Sequence, residues 1–175
     1  VSIGENAHSG AATDVTRDVA IGREAFRYGE GSYGVAIGTW AGRYSKSNEN
    51  IYIGRESGPQ ANSSNTDAYN IAIGSYAGTS LTTGDYCIHI GRYAGSSNVG
   101  GSSGIAIGQE AMRYTVTSSY DVAIGYYAGR YSEGSSNVYI GREVGPQASA
   151  SNTDLANVCI GTYLSLIHIS EPTRP

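Results

Sequence analysis

The chain has 175 residues, with 25 Gly and 15 Tyr against one Phe, one Trp and one Met, so its apolar content lies in small β-branched residues and any core must be narrow. Its formal net charge is −4, with both signs mixed along the chain, which argues against a nucleic-acid or anionic-membrane partner held by a basic footprint. No run is long enough to cross a bilayer as a helix, and no membrane insertion is expected of this segment.

One phrase recurs from the first residue onward: a β-branched residue, a variable residue, Ile, Gly. It occurs ten times, with its Gly at 4, 22, 38, 54, 74, 91, 108, 125, 141 and 161. The small residue three places after the Gly is Ala7, Ala25, Ala41, Ser57, Ala77, Ala94, Ala111 and Ala128. A fixed phrase near every 17 residues is the signature of a solenoid, in which each unit buries its apolar face only against its neighbours. Helix is not expected, because apolar residues do not recur at 3.6 spacing and Gly is spread throughout.

Each phrase is predicted to be a three-residue strand of period 2, beginning at Val1, Val19, Val35, Ile51, Ile71, Ile88, Ile105, Val122, Val138 and Val158 in turn. The first and third residues then point one way and the middle residue the other. The constant Ile is expected to form the inward stack, Ile21, Ile37, Ile53, Ile73, Ile90, Ile107, Ile124, Ile140 and Ile160 being the structural core. The middle position holds Ser, Ala, Tyr, His or Cys, and that tolerance suggests the less constrained face. The Gly is expected where a side chain would clash or where φ must be positive. Asp18, Gly34, Asn50, Asn70, Gly104, Asp121, Asn137 and Asn157 precede strands and read as turn residues that tolerate left-handed backbone and bond nearby main chain.

The repeat has a second level. Residues 35–76 align without gaps to 122–163 and match at 27 of 42 positions. Gly-Pro-Gln-Ala at 58–61 returns at 145–148, and Ser-Asn-Thr-Asp at 64–67 returns at 151–154. Residues 1–163 therefore read as one solenoid of two five-coil blocks, about 1–87 and 88–163. The Gly-Pro-Gln-Ala stretches open the longest intervals and are expected to be loops, a secondary candidate for recognition.

The phrases Asn70-Ile-Ala-Ile-Gly-Ser-Tyr-Ala-Gly78 and Asp121-Val-Ala-Ile-Gly-Tyr-Tyr-Ala-Gly129 resemble the YadA-like head repeats of trimeric autotransporter adhesins. They are also similar to the Asn-x-Ala-Ile-Gly-Tyr-x-Ala arrays of phage tail fibres and related bacterial surface proteins. The resemblance covers residues 1–163. It implies a left-handed parallel β-roll, a homotrimer about the fibre axis, and an extracellular place on a virion tail or a bacterial cell surface. The function it implies is attachment to a host-cell glycan or surface protein, the alternative being a passive shaft whose binding tip lies elsewhere. The coils here run 16 to 20 residues, longer than YadA-like head coils. A trimer is also expected because a thin prism buries little surface alone.

Candidate chemistry is sparse. No catalytic residue, cofactor or metal is expected. His8 and His89 stand at variable positions, and His89, between two isoleucines, is expected to face away from the core. Asp14, Asp18, Asp67, Asp85, Asp121 and Asp154 do not recur at one position in successive coils, as a calcium β-roll needs. Cys87 and Cys159 lie four coils apart, too far for a disulfide, and read as free thiols. The candidate receptor-binding residues are the Arg-Tyr pairs Arg27 and Tyr28, Arg43 and Tyr44, Arg113 and Tyr114, Arg130 and Tyr131. Each Tyr follows its Gly by six residues, so successive coils should ladder them, ready to grip sugar rings or protein.

Two features concern the ends. Val1 already lies inside a repeat and the only Met is Met112, so the chain reads as an internal fragment of a longer protein. The register breaks after Tyr163, and Leu164 to Pro175 resembles an in-frame translation of a transposase-type sequencing-library adapter. That tail is expected to be non-native, and His168 is left out of any site.

Overall fold

The structure is a computed structural model and describes residues 1–10, 17–61, 65–146 and 155–164. Ten strands follow one another: β1 (Ser2–Ile3), β2 (Val19–Ile21), β3 (Val35–Ile37), β4 (Ile51–Ile53), β5 (Ile71–Ile73), β6 (Ile88–Ile90), β7 (Ile105–Ile107), β8 (Val122–Ile124), β9 (Val138–Ile140) and β10 (Val158–Ile160). They form one parallel sheet in chain order. Equivalent residues face one another across each pair, as Val35 faces Ile51 and Ile37 faces Ile53. The chain is an all-β parallel solenoid with one coil per phrase, and no helix occurs among the described residues.

Tight corners close each coil. Left-handed backbone recurs at the Gly, at the second and fourth residues after it, and two residues before the next strand, as at Gly38 (φ 133°), Trp40 (φ 62°), Gly42 (φ 55°) and Glu49 (φ 60°). A non-glycine residue there costs roughly 1 kcal/mol, so a coil relies on its neighbours for support. Gly38 shows why the phrase ends in glycine. A Cβ at that position would stand 2.5 Å from the carbonyl oxygen of Gly54 in the next coil.

The isoleucine core is corrected. Alternation holds, but the faces are reversed: the middle residue of each strand from β2 to β9 is buried, and its Val and Ile neighbours are half-exposed or, at Ile124, exposed. The core is made by Ala20, Ala36, Tyr52, Ala72, His89, Ala106, Ala123 and Tyr139, together with Ala25, Ala41, Ala77, Ala94, Ala111 and Ala128. Ile21, Ile37, Ile53, Ile73, Ile90, Ile107, Ile124, Ile140 and Ile160 instead line the outside of the sheet. His89 accordingly points inward and is fully buried.

The variability of the middle position has a packing cause. Where the strand centre is large, the fourth residue after the strand-ending Gly is glycine. A Cβ on Gly58 would lie 2.5 Å from the Tyr52 ring, one on Gly95 would run into His89, and one on Gly145 would lie 2.6 Å from Tyr139. Where the strand centre is Ala20 or Ala106, the fourth position is filled by Phe26 or Met112, both buried. Large and small side chains trade places in these coils, whereas Ala36 with Gly42, Ala72 with Gly78 and Ala123 with Gly129 are both small, and their space is taken by Phe26 and Tyr52, by Leu81 and His89, and by Tyr139.

The residue before each strand is also reassigned. Its left-handed neighbour is the one preceding it, and its own side chain bridges coils. Asn50 Oδ1 accepts from the Asn70 backbone N–H at 2.8 Å, Asn70 Oδ1 from Cys87 at 2.7 Å, and Asp121 Oδ1 from Asn137 at 2.6 Å. This buried ladder satisfies amides that would otherwise cost about 1–3 kcal/mol each. The Gly-Pro-Gln stretches are not protruding loops where described. Gly58, Pro59, Gly145 and Pro146 are buried, Tyr44 N–H donates to the Pro59 carbonyl, and the Gln60 amide donates to the Trp40 carbonyl at 2.8 Å. The rest of the second copy, with Asp154, lies outside the described residues, as do Asp14 and residues 165–175. The Leu164 carbonyl still accepts from Gly145 N–H at 2.7 Å. Cys87 is buried, Cys159 is half-buried, and both are free thiols.

The corrected faces give opposite expectations for two adjacent residues. Ala106→Asp places a carboxylate in a fully buried position and should cost several kcal/mol, abolishing the cooperative thermal transition by circular dichroism. Ile107→Asp, on the half-exposed face, should leave a transition of the single chain. If the two variants melt alike, the assignment of faces is wrong.

Candidate functional site

The Arg-Tyr pairs meet at one corner of the solenoid, just after the strands. In the first block Tyr28 and Tyr44 stack with ring centroids 5.0 Å apart and planes 15° from parallel. In the second block Tyr114 and Tyr131 stack at 4.7 Å and 20°. The coil spacing sets this geometry, since residues at one repeat position in parallel, in-register strands come to lie about 4.8 Å apart. The expected ladders therefore form, as two separate plates.

A glutamate holds each plate. Glu24 pairs with Arg27 at 2.9 Å and with Arg43 of the next coil at 2.7 Å. Glu110 pairs with Arg113 at 2.9 Å and with Arg130 at 2.8 Å. The bridging arginines also lie against the rings: Arg43 is 5.7 Å from Tyr28, 5.3 Å from Trp40 and 5.2 Å from Tyr44, and Arg130 is 5.2 Å from Tyr114, 4.3 Å from Tyr127 and 5.4 Å from Tyr131. The bond from Arg27 holds the Glu24 carboxyl below its usual range, and the same bond raises Arg27. Burial works against Arg113, but its bond and charge pairing with Glu110 prevail and raise it.

The glutamates were not singled out from the sequence, although a signal exists. Arg stands five residues after Gly22, Gly38, Gly108 and Gly125, and in each case the first coil of the pair carries Glu two residues after its Gly. A charge at one repeat position bridged by opposite charges in two successive coils can be read once the coils are laid in register.

The plates differ in their surroundings. Beside Tyr28 and Tyr44 a groove of about 410 Å³ is lined by Gly10, Tyr28, Glu30, Tyr44 and Lys46. Lys46 and Glu30 face each other at 3.8 Å. At the matching positions of the second block stand Val116 and Glu133, so the charged rim belongs to the first block.

The interior holds a second polar set. The Tyr52 hydroxyl donates to Asp67 Oδ2 at 3.2 Å, and the Asn70 amide donates to the same oxygen at 3.1 Å. Burial raises the Asp67 carboxyl to about 6. His89 is held down at about 4 by burial alone, and neither ring nitrogen has a hydrogen-bond partner. Gly100 to Gly104 spells Gly-x-Ser-x-Gly, a pattern of serine hydrolases. Here Ser102 Oγ accepts from Asp85 N–H at 3.3 Å as part of a turn ladder. Among the described residues no group of three His, Cys, Asp or Glu converges as a metal site. No family model, curated protein or solved structure matches the chain.

Proposed function

We propose that this chain is a repeat segment of a trimeric fibrous attachment protein, a phage tail fibre or bacterial surface adhesin head, extracellular and built as a left-handed β-roll. The observation that carries the reading is the reversed sheet. Two β-branched side chains per coil, from Val19 and Ile21 to Val138 and Ile140, run along the outside half-exposed or more. A continuous apolar strip of that length is what a fibre buries between parallel copies of itself. Its invariant Ile, unexplained by the interior of one coil, is explained by packing between chains. The resemblance of the phrases to YadA-like and tail-fibre arrays supports the same conclusion. Attachment is assigned to the Tyr plates, with Tyr28 and Tyr44 beside their groove and Tyr114 and Tyr131 in the second block. The partner is a host-cell glycan or surface protein.

The passive-shaft reading has one observation in its favour. Arg27, Arg43, Arg113 and Arg130 already use their charge on Glu24 and Glu110, as braces between coils would.

One experiment separates these. The chain is fused to a trimerising foldon, and the fusion is compared with its Ile73→Lys/Ile107→Lys and Tyr44→Ala/Tyr131→Ala variants. The lysine pair is expected to shift the foldon-free chain from trimer to monomer in sedimentation, with strand content retained. The alanine pair is expected to lower adhesion of the fusion to host cells at least several-fold. Adhesion unchanged in a folded alanine variant establishes the shaft. A wild-type chain that stays monomeric at micromolar concentration overturns the trimer.

A further inference from the structure

The arginines are segregated. Positions one to five after the repeat Gly carry eight of the ten Arg and five of the 15 acidic residues, so this corner is positive on a chain of net charge −4. The arginines there occupy two positions only. Those at the fifth are braced by glutamates; those at the first, Arg23, Arg55, Arg92 and Arg142, are exposed.

Three of the exposed arginines form a spaced row. Arg23, Arg55 and Arg92 stand on alternate coils, and the coils between carry Thr39 with Trp40 and Ser75 with Tyr76. Arg23 lies 5.4 Å from the Trp40 ring and Arg55 4.8 Å from the Tyr76 ring, so the row reads cation, ring, cation, ring, cation along the fibre. Two carboxylates flank it. Glu24 is bridged by two arginines, and Glu56 sits against the Tyr76 hydroxyl.

We propose that the row of Arg23, Trp40, Arg55, Tyr76 and Arg92 binds a linear acidic polysaccharide in which carboxylated and neutral sugars alternate, laid parallel to the solenoid axis. The inference rests on the attachment reading and adds a second contact surface beside the first Tyr plate, joined to it by Arg43, which lies against both Trp40 and Tyr44. Spacing decides the class of polymer. Alternate coils are about 9.6 Å apart at 4.8 Å per coil, on the order of the length of two extended sugar units. A nucleic-acid strand carries a phosphate about every 3.4 Å and would leave most of its charge unmatched. The guanidinium fork suits a carboxylate, while Thr39 and Ser75 offer hydroxyls to the neutral sugar between; Trp40, against Arg23 and Arg43, and Tyr76, between Arg55 and the stacked Tyr93, offer it their ring edges and hold the arginines in place.

The test uses the intact chain and four probes: hyaluronan fragments, the same fragments with carboxyls reduced, heparin, and oligo-thymidylate. Binding is measured by calorimetry at low and physiological salt. The wild type should bind hyaluronan, more weakly at higher salt, and bind the reduced polymer much less. Arg23→Gln/Arg55→Gln/Arg92→Gln should weaken hyaluronan binding roughly tenfold, three exposed ion pairs at under 1 kcal/mol each, with an unchanged circular dichroism melt. Equal binding by the triple variant, equal binding of the reduced polymer, absence of hyaluronan binding, or tighter binding of heparin or oligo-thymidylate each overturn the proposal. Host-cell adhesion that persists in any of those cases leaves attachment standing, so the two failures are told apart.

Discussion

Gly38→Ala is expected to remove the cooperative unfolding transition from the middle of the first block. The substitution adds one methyl group, yet two costs combine. The backbone at Gly38 sits at φ 133°, a conformation closed to L side chains and worth of order 1–3 kcal/mol. The added carbon would lie 2.5 Å from the Gly54 carbonyl oxygen and 2.7 Å from its carbon. Those atoms belong to the next coil's backbone, which is tied by Gly54 N–H to the Ile37 carbonyl at 2.8 Å. Relief requires the coils to part, which breaks the strand pairing and the Asn ladder beside it. Since a solenoid is held by nearest-neighbour interfaces, opening between β3 and β4 isolates three coils from seven. Hydrogen exchange on Gly38→Ala should show residues 19–53 exchanging freely while β7 to β9 stay protected. Full protection across the chain would mean that the close Gly-to-Gly approach does not govern stacking.

The second large effect is on pH dependence. His89 is depressed to about 4 by burial, so its contribution to stability is fully present above 6.5 and is lost as pH falls through 4. Asp67 is raised to about 6 by burial, so its contribution is fully present below 3.8 and is lost as pH rises through 6. A shift of one unit is worth 1.36 kcal/mol, and each group moves stability by about 3 kcal/mol over its window. The slopes oppose each other, and these two groups leave the wild type nearly flat between pH 4 and 6. Removing either exposes the other. Asp67→Asn should lose about 3 kcal/mol as pH falls from 6.5 to 4, and His89→Ala should gain a similar amount over the same fall. The cavity in His89→Ala adds a pH-independent offset. Urea unfolding at pH 4, 5 and 6.5 reads the difference, and parallel profiles for both variants and wild type would sink the account.

The sequence made the array legible because the array is a translation. Once the Ile-Gly phrase is found at a regular interval, in-register parallel pairing follows, and strands β2 to β10 fall where the phrases stand. Inside and outside could not be read from alternation, which defines two faces without saying which one is enclosed. Constancy of the Ile suggested a core; in the structure it marks the outside of the sheet. The interior signal is a compensation spread over two positions, such as Tyr52 with Gly58 against Ala106 with Met112, and either position taken alone looks merely tolerant. The Asn side chains were ambiguous for a similar reason. Their Oδ1 atoms accept from the equivalent residue one coil on, a partner invisible until the coils are stacked. The Tyr plates could be read in the sequence because stacking needs only one repeat position. Their glutamate braces needed two positions in two coils.

The order of bulky and empty interior layers also limits how the array can change length. Phe26 and Tyr52 meet edge to face at 6.1 Å across the layer of Ala36 and Gly42, and a Cβ on Gly42 would touch both rings. Cutting out that single coil would drive two rings into one layer, whereas inserting a coil with an ordinary side chain there would leave no room for it. The 87-residue interval that relates 35–76 to 122–163 returns Tyr52 to Tyr139 and Gly58 to Gly145. Recombination in whole blocks preserves the layer order, and recombination by the single coil does not. An array of this design is expected to change length in strides of five coils, and the 27 matches in 42 positions between its two blocks fit one such stride.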